Sequence, residues 1–224
     1  MYIDFAFINT DTNEVTVKED IKQILSLNCV NSITLPYYLI RAAKSLLLDY
    51  KNIDLSCLID YPLGISDLKT RVFAMDQAIK MGANTIDIVM PQNLATNRKY
   101  DKIREDVKNC IDLSIENNIK IRYILEYRMF DHSCLKKLCE IFENNNMRCV
   151  FPSSGYFLDN LADNILASVF LHQNSKDLNI ICSGNIWLDK HFDTIKKSGL
   201  FGLRTTSIHS LANFVKFNLS HPKE

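Results

Sequence analysis

Short apolar runs alternate with longer amphipathic segments along the whole chain. The runs predict strands over Tyr2 to Ile8, Ser32 to Leu35, Asp54 to Ile59, Thr85 to Met90, Lys120 to Leu125, Arg148 to Phe151, Asn179 to Cys182 and Leu200 to Leu203. Most are apolar at successive positions, as strands covered on both faces are. The segments between them carry helix signals. Thr16-Val17-Lys18-Glu19 reads as a capping box opening a helix to about Leu27. Pro36 suits the first turn before a helix over Tyr37 to Leu48. Further helices are predicted over Lys69 to Met81, closed by Gly82, and over Tyr100 to Asn117. Asp131 caps a helix over Cys134 to Phe142, and three more cover Leu158 to His172, Leu188 to Lys197 and Ile208 to Phe217.

Eight strands, each followed by a helix, predict a single α/β domain over residues 1–224, a (β/α)8 TIM barrel. An open doubly wound sheet is the alternative. The eight regular units, the lack of a GxGxxG turn and the even composition favour the barrel. In a barrel, the residue at a strand's carboxyl end faces the active-site mouth. On the sixth strand that residue is Phe151, which is neither nucleophile, base nor charge.

Composition removes several function classes. Lys+Arg and Asp+Glu both number 26, so no basic excess points to nucleic acid or an anionic membrane surface. No apolar run approaches a membrane span, and the start, with Asp4 and no basic residue, does not read as a signal peptide. The seven Cys are scattered without a CxxC pair and read as reduced thiols of a cytoplasmic protein. His132, His172, His191, His209 and His221 fall in predicted loops, helices or the tail, away from the acids, so no metal and no cofactor are expected.

Asp87 is a carboxylate in the middle of an apolar strand, where it needs a partner or a task. By period-two alternation Arg122 and Glu126 share a face of the fifth strand, roughly 13 Å apart. Asp87 and Arg122 therefore form a candidate interior ion pair, with Glu126 nearer the mouth. A purely structural charge cluster explains the same residues. Asp87→Asn is expected to cost less stability than Asp87→Ala, because one acceptor remains. Asp4 and Asp60 add two further acids near strand ends. The loops after the seventh and eighth strands, Ser183-Gly184-Asn185 and Arg204-Thr205-Thr206-Ser207, suit an anion site at helix N-termini. Ordinary helix capping explains their Ser and Thr equally well.

Several of these segments share a resemblance. Gly82-Ala83-Asn84-Thr85-Ile86-Asp87-Ile88-Val89-Met90 is similar to the GADEIDxVxx strand of deoxyribose-phosphate aldolases. Tyr61-Pro62-Leu63-Gly64 resembles their FPxG turn, Ile124-Leu125-Glu126 their IxE strand, and Ser153-Ser154-Gly155 the end of KTSTG. Cys182-Ser183-Gly184-Asn185-Ile186 resembles ASGGI, Gly202 to Ser207 resembles RIGTSS, and Asp4 fits the opening acid. The matches run in family order from about Ile3 to Ser207, and the family is a (β/α)8 barrel. The resemblance implies that the Schiff-base lysine position is held by Phe151. A second lysine position is held by Ile181, and a third, near the phosphate, by Tyr156. It also implies that Asp87 matches the proton-relay aspartate, that Arg122 replaces a lysine, and that Arg204 stands where the family has Gly.

Two functions follow as expectations. The first is a diverged barrel binding a small, acidic, carbonyl-containing ligand. Its lyase or isomerase chemistry would use Asp87, Arg122 and Asp4, without a lysine Schiff base. Phe151, Ser153, Ser154, Gly155, Ile181, Ser183, Gly184, Asn185, Arg204, Thr206 and Ser207 would line its ligand site. Arg204 would be the anion-binding corner of an otherwise apolar pocket, with Trp187 as a further aromatic wall. The second is an inactive pseudo-aldolase serving as a ligand- or protein-binding scaffold, with Phe151 and Ile181 plugging the mouth. The partner expected is a small molecule, and a homodimer is the assembly considered.

Overall fold

The computed structural model describes residues 1–9, 11–156, 161–184 and 189–221. The strands are β1 (Tyr2–Ala6), β2 (Ser32–Pro36), β3 (Asp54–Ile59), β4 (Thr85–Val89), β5 (Lys120–Ile124), β6 (Cys149–Phe151), β7 (Asn179–Ser183) and β8 (Gly202–Thr205). All pair in parallel with their sequence neighbours, and β8 returns to β1, closing the barrel. That closure needs Gly202. A Cβ there would stand 2.3 Å from the Tyr2 carbonyl oxygen, so any side chain would part the seam. No helix among the described residues is long and apolar enough to cross a membrane.

The helices lie outside the barrel: α1 (Glu14–Ser26), α2 (Ile40–Leu46), α3 (Leu68–Met81), α4 (Gln92–Thr96), α5 (Tyr100–Glu116), α6 (His132–Asn144), α7 (Leu161–Gln173), α8 (Asp189–Lys197) and α9 (Ile208–Ser220). They bury one stripe each, as α6 does with Cys134, Leu135, Leu138, Cys139, Ile141 and Phe142. Gly82 closes α3 in the left-handed conformation, and Asp131 caps α6, both as the sequence predicts. The capping-box start of α1 is corrected. Asn13 accepts from the amides of Val15 and Thr16, so the helix opens before Thr16. The second helix is shorter than predicted, a 3-10 turn at Tyr37–Leu39 followed by α2. The short α4 was expected as loop. The predicted helix starts at Leu158 and Leu188, before α7 and α8, lie outside the described residues, as do Asn185 and Trp187.

Two hydrophobic layers result. One lies between strands and helices; the other is a small cluster inside the barrel, of Leu58, Val89, Ile124, Phe151 and Ile181. Inward-facing side chains alternate with the outward ones along each strand. Below the inner cluster the barrel interior is charged rather than apolar, and the register explains how. Asp87 is paired with Arg122 across β4 and β5, and Asp4 with Arg204 across β1 and β8.

Candidate functional site

Four ionised side chains fill the middle of the barrel. Asp87 Oδ1 accepts from Arg122 Nε at 2.5 Å, and Oδ2 accepts from Arg122 Nη2 at 3.0 Å and from Arg204 Nη2. Asp4 Oδ1 accepts from Arg122 Nη2 at 3.1 Å, and Oδ2 from Arg204 Nε. Thr34 Oγ1 donates to Asp4 Oδ1 at 2.8 Å and accepts from Arg204 Nη2 at 3.0 Å. Ser32 Oγ accepts from Arg122 Nη2, and Tyr2 Oη accepts from Arg122 Nη1 and donates to Asp54. Both aspartates are 0% exposed, and the arginines 3% and 4%. Two carboxylates against two guanidiniums make the layer neutral, which is the condition for keeping such groups out of water.

The titration behaviour follows from that pairing. Burial alone would raise the Asp4 carboxyl, but Arg204 and Arg122 outweigh it and hold it down, from 3.8 to about 2. The same two aspartates hold Arg122 well above its ordinary value against burial. Because Asp4 binds its proton more weakly folded than unfolded, its contribution is complete above about pH 4 and fades as the pH falls toward about 2. Removing it should cost on the order of 2 kcal/mol. Urea unfolding followed from about pH 5 to about pH 2.5 checks this, and Asp4→Asn should show a shallower decline.

Phe151 roofs the ionic layer. Its ring centre lies 3.7 Å from Arg204 Cζ and 5.1 Å from Arg122 Cζ, a cation–π contact made on a desolvated face. Phe151 and Ile181 are fully buried with Leu58, Val89 and Ile124 around them. Arg204, the expected anion-binding corner, directs its Nε and Nη2 at Asp4 and Asp87, with the Phe151 ring over its Cζ. Cys149, packed against the same inner cluster, has its thiol pushed up to about 12 by burial, which keeps it protonated and unreactive.

The candidate residues nearer the mouth are largely engaged with one another. Glu126 accepts from Ser154 N at 3.2 Å and Ser154 Oγ at 2.5 Å. Asn164 of α7 donates to Ser153 Oγ and accepts from Ser183 N at 3.0 Å, tying β6 to β7. Gly155, with φ 74°, turns the chain after Ser154, and Gly184 N donates to the Arg204 carbonyl. Ser207 caps α9 through Ser210 N, which is the capping reading of that loop, and Thr206 is exposed beside it. Lys120 lies at the opposite end of the barrel, its Nζ 2.8 and 2.9 Å from the Asp54 oxygens.

Some functional-looking residues had escaped the sequence reading. Arg71 is buried on α3, donating to Asp60 Oδ2 at 2.7 Å and to both oxygens of Asp106. Its signal was available, since Arg71, Met75 and Ala78 form the buried stripe of α3. Asn164 and Thr34 carried no comparable signal. Among the described residues, no group of three or more His, Cys, Asp or Glu is placed to hold a metal ion.

A groove of ≈ 510 Å³ opens at the mouth over the carboxyl ends of β1, β2 and β3, walled by Phe7, Ile8, Tyr38, Tyr61 and Tyr156 with Asp60 at one side. A larger hollow of ≈ 660 Å³ lies at the other end of the barrel, between the loops preceding β2 and β3 and the end of α9. None of the described candidate residues lines that hollow.

No family model matches the chain. A deoxyribose-phosphate aldolase of Clostridium novyi is 24% identical over 159 residues, spanning 69% of this chain and 68% of that protein. One from Caldicellulosiruptor saccharolyticus is 26% identical over 161 residues, spanning 69% and 70%. Among solved structures, QR15, an aldolase, covers 98% of this chain and 97% of its own with a TM-score of 0.82 at 22% identity. The tetrameric deoxyribose phosphate aldolase from Aeropyrum pernix also has a TM-score of 0.82, at 16% identity, over 98% and 89%. The chain is thus a (β/α)8 barrel that resembles the deoxyribose-phosphate aldolases in sequence and in fold.

Proposed function

We propose that this barrel is a non-catalytic relative of the aldolases that binds a small molecule at its mouth. The observation that carries the reading is the state of Asp87: fully buried, both oxygens engaged by guanidinium groups, and roofed by Phe151. A general acid or base must come within hydrogen-bond reach of substrate, and here that requires breaking a neutral, desolvated charge layer. An imine requires a neutral primary amine. The positions that the resemblance assigns to the reactive lysines are Phe151 and Ile181, and Lys120 is held by Asp54 at the far end. Pairing with Arg122 and Arg204 accounts for two charged aspartates inside the barrel without chemistry. The mouth groove is of a size suited to a small organic ligand. The seven free thiols are in keeping with a cytoplasmic location.

Incubation with acetaldehyde or deoxyribose 5-phosphate followed by borohydride should leave the intact mass unchanged. Acetaldehyde release from deoxyribose 5-phosphate should not exceed the protein-free blank. A reduced adduct mapped to any lysine, or release above the blank, would overturn the reading.

A further inference from the structure

We infer that the mouth groove takes a small organic cation, an ammonium group on an apolar or aromatic body, rather than a phosphorylated sugar. The inference rests on the non-catalytic reading above and names its ligand class. The first observation is the wall. Tyr61 and Tyr156 present rings 6.4 Å apart at 87°, two faces of a corner, and Tyr38 and Phe7 extend the aromatic lining. Aromatic faces carry negative quadrupole potential and attract cations most strongly where water is thinned.

The second observation is charge. Among the described residues lining the groove, Asp60 is the one ionisable acid, and no Lys, Arg or His accompanies it. Asp60 leans on Arg71, but Arg71 also holds Asp106 through Nε at 2.8 Å and Nη2 at 3.1 Å. Two carboxylates on one guanidinium leave one net negative charge, in contrast to the balanced layer of Asp4, Asp87, Arg122 and Arg204. The Asp60 side chain is 7% exposed and that of Asp106 3%, and of the two it is Asp60 that lines the groove, so the surplus lies just beneath the groove wall.

The third observation concerns the donors an anion would need. Ser154 N is taken by Glu126, Ser183 N by Asn164, Gly184 N by the Arg204 carbonyl and Ser207 N by Thr205 Oγ1. A phosphate using these four amides would have to displace their bonds and sit beside an acid-leaning groove; a cation would not.

Calorimetric titration of the full chain with benzylamine, benzyl alcohol, benzoate and deoxyribose 5-phosphate separates the possibilities. Benzylamine should bind on the order of tenfold more tightly than benzyl alcohol, weaken with added salt, and the two anions should not bind measurably. Asp60 also braces Ser66 and Arg71, so Asp60→Asn is paired with two substitutions at exposed positions, Ile65→Lys (65% exposed) and Tyr156→Leu (59% exposed). Both should weaken benzylamine on the order of tenfold, the first by repulsion and the second by loss of a wall. Equal binding of benzoate or deoxyribose 5-phosphate, no preference over benzyl alcohol, or no response to Ile65→Lys would each refute the inference. So would a lack of benzylamine binding at millimolar concentration. None of these outcomes touches the borohydride and turnover tests, so a failure here and a failure of the non-catalytic reading are told apart.

Discussion

Asp87→Ala should lower the unfolding free energy by about 3–5 kcal/mol, the cost of stripping one partner from a buried ion pair. The upper end is expected, because the Asp87 carboxylate engages two guanidiniums at once, those of Arg122 and Arg204. Its loss leaves Asp4 alone against two cations in a space closed to water. The sequence suggested that Asp87→Asn would be milder; the geometry removes that difference. Each Asp87 oxygen faces a guanidinium N–H, so an amide nitrogen on either side meets a donor and the charge is lost as well. Urea unfolding of wild type, Asp87→Ala and Asp87→Asn measures all three. A second substitution supplies the internal control. Arg204→Met on the Asp87→Ala background restores charge balance, and should recover part of the stability that Asp87→Ala removes. Near-wild-type stability of Asp87→Ala would mean that water reaches the layer and that the pairing contributes little.

Phe151→Ala should cost a similar amount, about 3–5 kcal/mol, for a different reason. The ring is wholly buried among Leu58, Val89, Ile124 and Ile181, so truncation leaves a cavity that rigid strands on every side cannot close. It also uncovers the Arg204 guanidinium, ending a contact at 3.7 Å from its Cζ. Phe151→Leu keeps much of the volume but not the π face, so its smaller loss reports the cation–π share, on the order of 1–2 kcal/mol. Thermal and urea unfolding of both variants resolves the two terms. If Phe151→Ala were nearly neutral, the inner cluster would be loosely packed and the roof over Asp87 could open to a substrate. The non-catalytic reading would lose its main support.

The barrel itself was legible in the chain, because its signal is local. Burial on both faces makes each strand a short apolar run, and a helix stripe repeats every turn, so alternation along the sequence reports the layers directly. The same local logic made Arg122 a candidate interior partner for Asp87, and the structure has the two bonded across β4 and β5. What the chain could not display was which charges meet across the closed ring. Arg204 reads locally as a cation beside Ser and Thr, apt for an anion. Its partner Asp4 lies 200 positions away and arrives only when β8 pairs with β1 at Gly202. Arg71 and Asn164 belong to helices, and their partners come from elsewhere in the chain: Asp106 from α5, and Asp60, Ser153 and Ser183 from strand ends and loops. Hydrophobic burial is non-directional and leaves a periodic trace in sequence. Ion pairing in a desolvated interior is directional, depends on ångström-scale placement, and is decided by closure of the barrel.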